Sequence, residues 1–234
     1  MKTISNFFDG KLITSESSDK LPLYKPTTGE EYAQIPVTTD KEFKLIIDKM
    51  KNAQISWANT PVTKRSAILF KFKNLIEKNF DDIARIISEE HGKVFSDAKG
   101  SLQRGLEVVD FACGIPHLLK GNHSINVGTN VDSFDIKQPL GLCAGITPFN
   151  FPAMVPMWMF PISIACGNAF MLKPSEKVPQ CSLKLGELLN EAGLPENVLT
   201  IVNGDKRVVD KILQSPDISS VSFVGSTPVA KYIY

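Results

Sequence analysis

The sequence predicts an α/β fold: a parallel sheet with flanking helices, plus a small protruding hairpin. Three observations carry this. From Pro139 onward, short apolar segments alternate with helical periodicity in the order β-α-β-α-β-α-β. Such alternation builds a parallel sheet through crossover connections. Before it, residues 39–119 carry apolar side chains at helical spacing. Between the two, residues 122–138 alternate polar and apolar around Gly128, the pattern of a two-sided hairpin.

Residues 1–38 are short extended pieces punctuated by Asp9-Gly10 and Lys25-Pro26-Thr27-Thr28-Gly29, which read as small hairpins or a meander. Thr39 and Glu42 form a capping-box pattern ahead of Phe43, Ile46, Ile47 and Met50. A helix follows from Pro61, with Ile68, Leu69, Phe72, Leu75 and Ile76 as its apolar positions and Asn79 or Asp81 as its break. Ile83, Ile86 and Ile87 continue into a helix that stops near Gly92. The next run spans about 94–119 and contains Leu102, Leu106, Val109, Phe111 and Ala112. After the hairpin, strands are expected at 141–147, 169–173, 199–202 and 220–224, with helices at 153–168, 180–192 and 205–213.

Composition excludes several classes. The 234 residues carry 26 basic and 25 acidic side chains, so the clustered basic excess of a nucleic-acid surface is missing. The longest apolar stretch, 151–166, is cut by Pro152, Pro156 and Pro161 and falls short of the ~20 residues of a membrane span. The first residues lack both the apolar run of a secretory signal and the Arg/Ser-rich character of a transit peptide. A cytoplasmic location is expected, or the mitochondrial matrix in a eukaryote. Cys113, Cys143, Cys166 and Cys181 form no C-x-x-C pair, and His91, His117 and His123 have no metal spacing. A reducing compartment and no metal site are expected.

The chemistry-bearing residues cluster where strands end: Thr147-Pro148-Phe149-Asn150, Lys173-Pro174-Ser175-Glu176, Asn203-Gly204 and Gly225-Ser226-Thr227. Ligands of open parallel sheets bind beyond the carboxyl ends of the strands. The glycine fingerprint G-x-G-x-x-G is absent. Gly225 and Ser226 suit a phosphate cradle ahead of a short helix near Pro228, or a plain strand-to-helix turn. Lys173 and Glu176 can pair with ribose hydroxyls, Glu176 repelling a 2′-phosphate, or form a surface ion pair. Asn150, held between Pro148 and Pro152, suits an oxyanion donor, or caps the next helix. Arg104 can grip a carboxylate through two parallel bonds, or is a solvated helix arginine. None of the four cysteines reads as a nucleophile: Cys113, Cys143 and Cys166 read as buried hydrophobes, and Cys181 lies near a helix start, which could lower its pKa, but has no obvious partner.

The segments Gly145-Ile146-Thr147-Pro148-Phe149-Asn150-Phe151-Pro152, Leu172-Lys173-Pro174-Ser175-Glu176, Gly193-Leu194-Pro195 and Phe223-Val224-Gly225-Ser226-Thr227 resemble, in order and spacing, the aldehyde dehydrogenase superfamily. The resemblance covers the whole chain, including Glu90-His91-Gly92-Lys93. Around Arg104-Gly105-Leu106-Glu107, residues 154–161, Gly167-Asn168 and Pro216-Asp217-Ile218, the chain is most similar to the CoA-acylating branch that oxidises methylmalonate and malonate semialdehyde.

That resemblance implies a Rossmann-type domain formed by residues 1–121 and 139–234, with 122–138 as a hairpin of the oligomerisation domain. It implies NAD contacts from Thr147, Phe149, Lys173, Glu176, Lys177 and Ser226, and an oxyanion contact from Asn150. Phe151 and Trp158 would line the aldehyde tunnel, and Arg104 would bind the substrate carboxylate. Coenzyme A would take the acyl group as co-substrate, yielding propionyl-CoA or acetyl-CoA, and the enzyme would be a homo-oligomer, a tetramer. None of the four cysteines stands at the family's nucleophile position. The chain is therefore expected to be an amino-terminal portion, without the catalytic domain, inactive alone and with an exposed sheet edge. A hydrolytic aldehyde dehydrogenase of other substrate and a non-catalytic nucleotide-binding fragment are the alternatives.

Overall fold

A computed structural model describes residues 2–234. Its main sheet is built by the second half of the chain. Strands β8 (Leu142–Ile146), β9 (Ala169–Lys173), β10 (Leu199–Ile201) and β11 (Ile218–Phe223) run parallel in the order β11-β8-β9-β10. Helices α6 (Met154–Ala165), α7 (Pro179–Glu191) and α8 (Lys206–Gln214) connect them, and α9 (Thr227–Ile233) follows β11. The expected crossover pattern is therefore the observed one. The sheet then gains two antiparallel strands from the amino terminus, β2 (Asn6–Phe8) and β3 (Lys11–Ile13), through the pair Ile201–Phe7. Local pattern predicts that hairpin but not its docking on a strand nearly two hundred residues away.

Alternation along the strands explains the layering. On β9, Phe170 and Leu172 face one apolar cluster while Ala169 and Met171 face the other. Both faces are thus buried, as a parallel sheet requires. The larger cluster is filled by α2 (Val62–Lys78), α3 (Phe80–His91), α4 (Phe95–Cys113), α6 and α7; the smaller by α1 (Asp40–Ala58) and α8. The Thr39 capping box is present, with the Glu42 amide donating to Thr39 Oγ1 and the Thr39 amide to Glu42 Oε2. Strands β1 (Lys2–Thr3), β4 (Lys20–Tyr24) and β5 (Glu31–Pro36) form a small separate sheet.

The run expected over 94–119 breaks in two. α4 ends at Cys113 and a single turn, α5 (Ile115–Leu118), follows. Pro116 is the reason: it has no N–H to give to the preceding turn. The 122–138 hairpin is β6 (His123–Gly128) and β7 (Val131–Phe134), and every residue of both strands is exposed. No helix among the described residues is long and apolar enough to cross a membrane.

Helix ends are fixed by side chains remote in sequence. Arg65 is buried without an acidic partner, and its guanidinium donates to the carbonyls of Ala165 (2.9 Å) and Thr60 (2.7 Å). Trp57 Nε1 donates to the Ile164 carbonyl at 2.9 Å. The carboxyl end of α6 is thereby closed, which matters because unpaired buried carbonyls are costly. At the other end of the fold, Glu90 accepts the Gln180 and Cys181 amides at 2.8 and 3.0 Å and pins α7 to α3.

Glu90 is buried against Lys2, Tyr32 and Cys181, and burial pushes its carboxyl from 4.5 up to about 8. The folded chain therefore holds this proton where the unfolded chain has lost it. The contribution to stability is full below about 4.5 and falls as pH rises towards about 8. Urea unfolding of the wild type and Glu90→Gln checks this. The stability advantage of the wild type should shrink from about pH 5 to about pH 8; a constant difference would show that the carboxyl is ionised throughout.

Candidate functional site

Register places the site. Phe223 pairs with Ile146, and Ile146 pairs with Lys173, so three neighbouring parallel strands end level. The amide of Thr147 donates to the Lys173 carbonyl (3.2 Å) and that of Val224 to the Ile146 carbonyl (3.3 Å), carrying the alignment one residue further. Beyond this row lies a cleft of about 510 Å³, lined by Thr147, Phe149, Lys173, Glu176 and Ser226. The structure thus brings five of the expected contact residues into one cavity. Its outer wall is apolar: Val209 on α8, and Pro228, Val229 and Tyr232 on α9.

Lys173 is the charged floor of the cleft. It is only 4% exposed, and its Nζ lies 3.2 Å from Glu176 Oε2. The reading of a surface pair is therefore corrected: the β9 strand draws the lysine inside. Burial pushes the ammonium pKa down, and Glu176 pulls it back. An ammonium has three donors, and one carboxylate oxygen satisfies one of them. Ser226 is the residue ahead of α9, yet its hydroxyl makes no capping bond. Both groups are available to hydroxyls or phosphate oxygens.

Phe149 forms one side of the cleft. The His91 ring stacks on it at 6.4 Å and 24°, and Lys177 Nζ lies 4.8 Å from its centroid. Lys177 thus joins the site through this ring rather than through the cleft. A second cavity of about 540 Å³, walled by Leu21, Pro22 and Leu23, lies against Phe149 and Glu176.

Asn150 and Phe151 continue the same loop. The Asn150 carbonyl accepts Lys93 Nζ at 2.8 Å, and its side-chain amide has no partner among the described residues. The capping alternative is corrected: the residue ahead of α6 is Ala153, because the turn at Pro152 delays the helix to Met154. Trp158 on α6 is 38% exposed. Arg104 on α4 is exposed and unpaired among the described residues. The two are carried on helices in direct contact. A Cβ at Gly105 would lie 3.1 Å from the Met154 Cα and press on the Met157 methyl, so glycine allows the two helices their close approach and a side chain here would push them slightly apart.

Two local signals lead elsewhere. Asn203-Gly204 does not line the cleft. Asn203 is turned to the amino-terminal hairpin, its amide donating to Asn6 Oδ1 and its Nδ2 to the Ser5 carbonyl, both at 2.8 Å. Nor does the helix start lower the Cys181 pKa; complete burial pushes the thiol well up. Burial likewise raises Cys113, to about 11, and Cys143 and Cys166. No group of His, Cys, Asp or Glu among the described residues could hold a metal ion.

Sequence reasoning missed the outer latch of the cleft. Lys206 Nζ donates to Asp210 (2.8 Å) and to the Tyr232 hydroxyl (2.5 Å), which donates to Asp210 at 2.6 Å. The spacing of Lys206 and Asp210 signals a helix ion pair, but nothing local signals Tyr232.

The aldehyde dehydrogenase family model matches residues 13–234. A malonate-semialdehyde dehydrogenase of Pseudomonas aeruginosa is 48% identical over 234 residues, covering all of this chain and 47% of its own length. The mitochondrial methylmalonate-semialdehyde dehydrogenase [acylating] of Arabidopsis thaliana is 47% identical over 231 residues, 99% of this chain and 38% of its own. A Sinorhizobium meliloti 1021 protein solved in complex with NAD superposes with a TM-score of 0.98 at 47% identity, covering all of this chain and 48% of its own. The chain spans about half the length of the curated relatives it matches. A parallel sheet whose strand tips converge on one cleft, matched over nearly all its length, shows that the chain belongs to the aldehyde dehydrogenase family.

Proposed function

We propose that this chain forms the nucleotide-binding and oxyanion-holding part of an NAD-dependent semialdehyde dehydrogenase acting on malonate or methylmalonate semialdehyde. One observation carries the reading: a single cleft gathers Thr147, Phe149, Lys173, Glu176 and Ser226. Its residues fit the cofactor. Lys173 offers buried, partly unsatisfied donors, Glu176 an acceptor, and the walls are apolar enough to hold a base. The relative solved with NAD supports the same choice. When bound, NAD accepts the two electrons that aldehyde oxidation releases.

The chain's own residues then divide the work. Lys173 and Glu176 hold the ribose hydroxyls, Ser226 meets a phosphate oxygen, and Phe149 with Lys177 closes the near side. The Asn150 amide donates to the oxygen on which negative charge grows, which requires a donor fixed beforehand. Arg104 grips the substrate carboxylate, and Phe151 and Trp158 line the approach. None of the four thiols here is poised as the attacking thiolate, because burial pushes the pKa of each of them up. Coenzyme A as acyl acceptor is supported by the relative named as acylating. The exposed β6–β7 hairpin, residues 122–138, is the oligomerisation arm of a tetramer, set apart from a nucleotide-binding domain of 1–121 and 139–234. A second reading, nucleotide binding without turnover, is favoured by the same unreactive thiols.

Two measurements test this. Calorimetric titration should show NAD bound at least about tenfold more tightly than NADP, since Glu176 would face a 2′-phosphate. Glu176→Gln should narrow the gap, and equal wild-type affinities would remove the assignment. In an active protein containing this segment, Arg104→Leu should raise KM for carboxylated aldehydes about tenfold or more, the worth of a bidentate ion pair. KM for propanal should stay nearly unchanged; equal effects on both would make the arginine structural.

A further inference from the structure

The α3–α4 connection lies against the loop of residues 149–151 almost residue by residue. Glu90 anchors it to the start of α7, and the next ring, His91, stacks on Phe149. Gly92 then adopts φ +85°, and a Cβ there would lie 3.1 Å from the Pro26 ring. Only glycine makes this turn without strain. The turn delivers Lys93, whose Nζ donates to the Asn150 carbonyl at 2.8 Å and lies 4.4 Å from the centroid of the Phe151 ring. No carboxylate among the described residues forms an ion pair with Lys93. The half-buried ammonium is committed to this one loop.

We propose that Lys93 is a positioning residue for Asn150, acting through the loop backbone and the Phe151 ring. The proposal rests on the reading of Asn150 as the oxyanion donor. The Asn150 side chain is exposed and has no hydrogen-bond partner among the described residues, so the backbone that carries it sets where its Cα and Cβ stand. Pro148 and Pro152 restrict that backbone from both sides. Between them, a charge-assisted hydrogen bond and a cation–π contact from one ammonium hold the two middle residues at once. Preorganised donors need this kind of support from outside the site.

Hydrogen–deuterium exchange on the 234-residue chain tests the proposal. In Lys93→Met, the amides of Thr147 and Val155, which donate to the Lys173 and Phe151 carbonyls at the two ends of the loop, should exchange about tenfold faster, the equivalent of one charge-assisted hydrogen bond. The β10 amides should be unchanged, and Tm should move by no more than about 2 °C. Lys93→Arg, which keeps the cation and a donor, should restore slow exchange. Should Lys93→Met fail to fold, Lys93→Gln is read by the same criteria, since it keeps a donor and loses the charge. Loop exchange unchanged in the uncharged variant, or as fast in Lys93→Arg, overturns the proposal. A wild-type chain that binds no NAD by calorimetry, with the loop still loosened by Lys93→Met, supports the positioning role and removes the cofactor reading instead.

Discussion

The level ending of β11, β8 and β9 is the constraint on which the rest depends. Parallel pairing of Phe223 with Ile146 and of Ile146 with Lys173 fixes where three separate loops begin. A slip of one residue would turn every side chain of a strand to the opposite face. Lys173 would then leave the cleft floor, and the alternation that sends Phe170 and Leu172 to one core and Met171 to the other would be inverted. Register is thus locked by apolar burial on both faces, and the polar site inherits its geometry from that lock.

Burial also separates the two kinds of reactive group in this chain. Lys173 is buried at the end of a strand with Glu176 beside it and open space ahead. Its cost of desolvation is offset in part by one carboxylate and is relieved further by any ligand that accepts its remaining protons. The thiols of Cys143 and Cys181 are buried with no cation beside them among the described residues; burial suppresses their ionisation, and Glu90 adds to the effect at Cys181. The same physical penalty leaves one group with donors facing a cavity and the others packed in the core.

Much of the fold was legible because its signals are local. The Thr39–Glu42 box, the Gly92 stop, the β-α alternation and the 122–138 hairpin all appear where periodicity and turn residues place them. The misses have two causes, a local breaker and contacts between distant residues. Pro116 breaks a helix that apolar spacing alone continues. The docking of β2 on β10, the turning of Asn203 to Asn6 and the reach of Tyr232 to Lys206 join residues with no sequence relation. Within the candidate site, the strand tips were readable from the ends of apolar runs. The groups that support them, His91 and Lys93, lie some sixty residues earlier at a helix end, where a basic residue ordinarily means only a favourable helix terminus.

Four cations show how partners, rather than residue type, separate these roles. Arg65 is buried and its donors close helix carbonyls, so its charge is consumed by the fold. Lys93 is half-buried and gives one hydrogen bond and a cation–π contact to the loop that carries Asn150. Lys173 is buried yet only partly satisfied, with the unsatisfied part toward a cavity. Arg104 is unpaired among the described residues, one residue from a close helix contact. A buried cation with donors to spare costs stability in the ligand-free chain. It is therefore retained where a ligand restores the balance, which is why Lys173 and not Arg65 points to chemistry. Arg104 bears no such cost, and its argument rests instead on the close α4–α6 packing that fixes its backbone. Gly105 holds that backbone against Met154 and Met157, so the arginine extends from a rigid base, the condition for gripping a small carboxylate in one orientation.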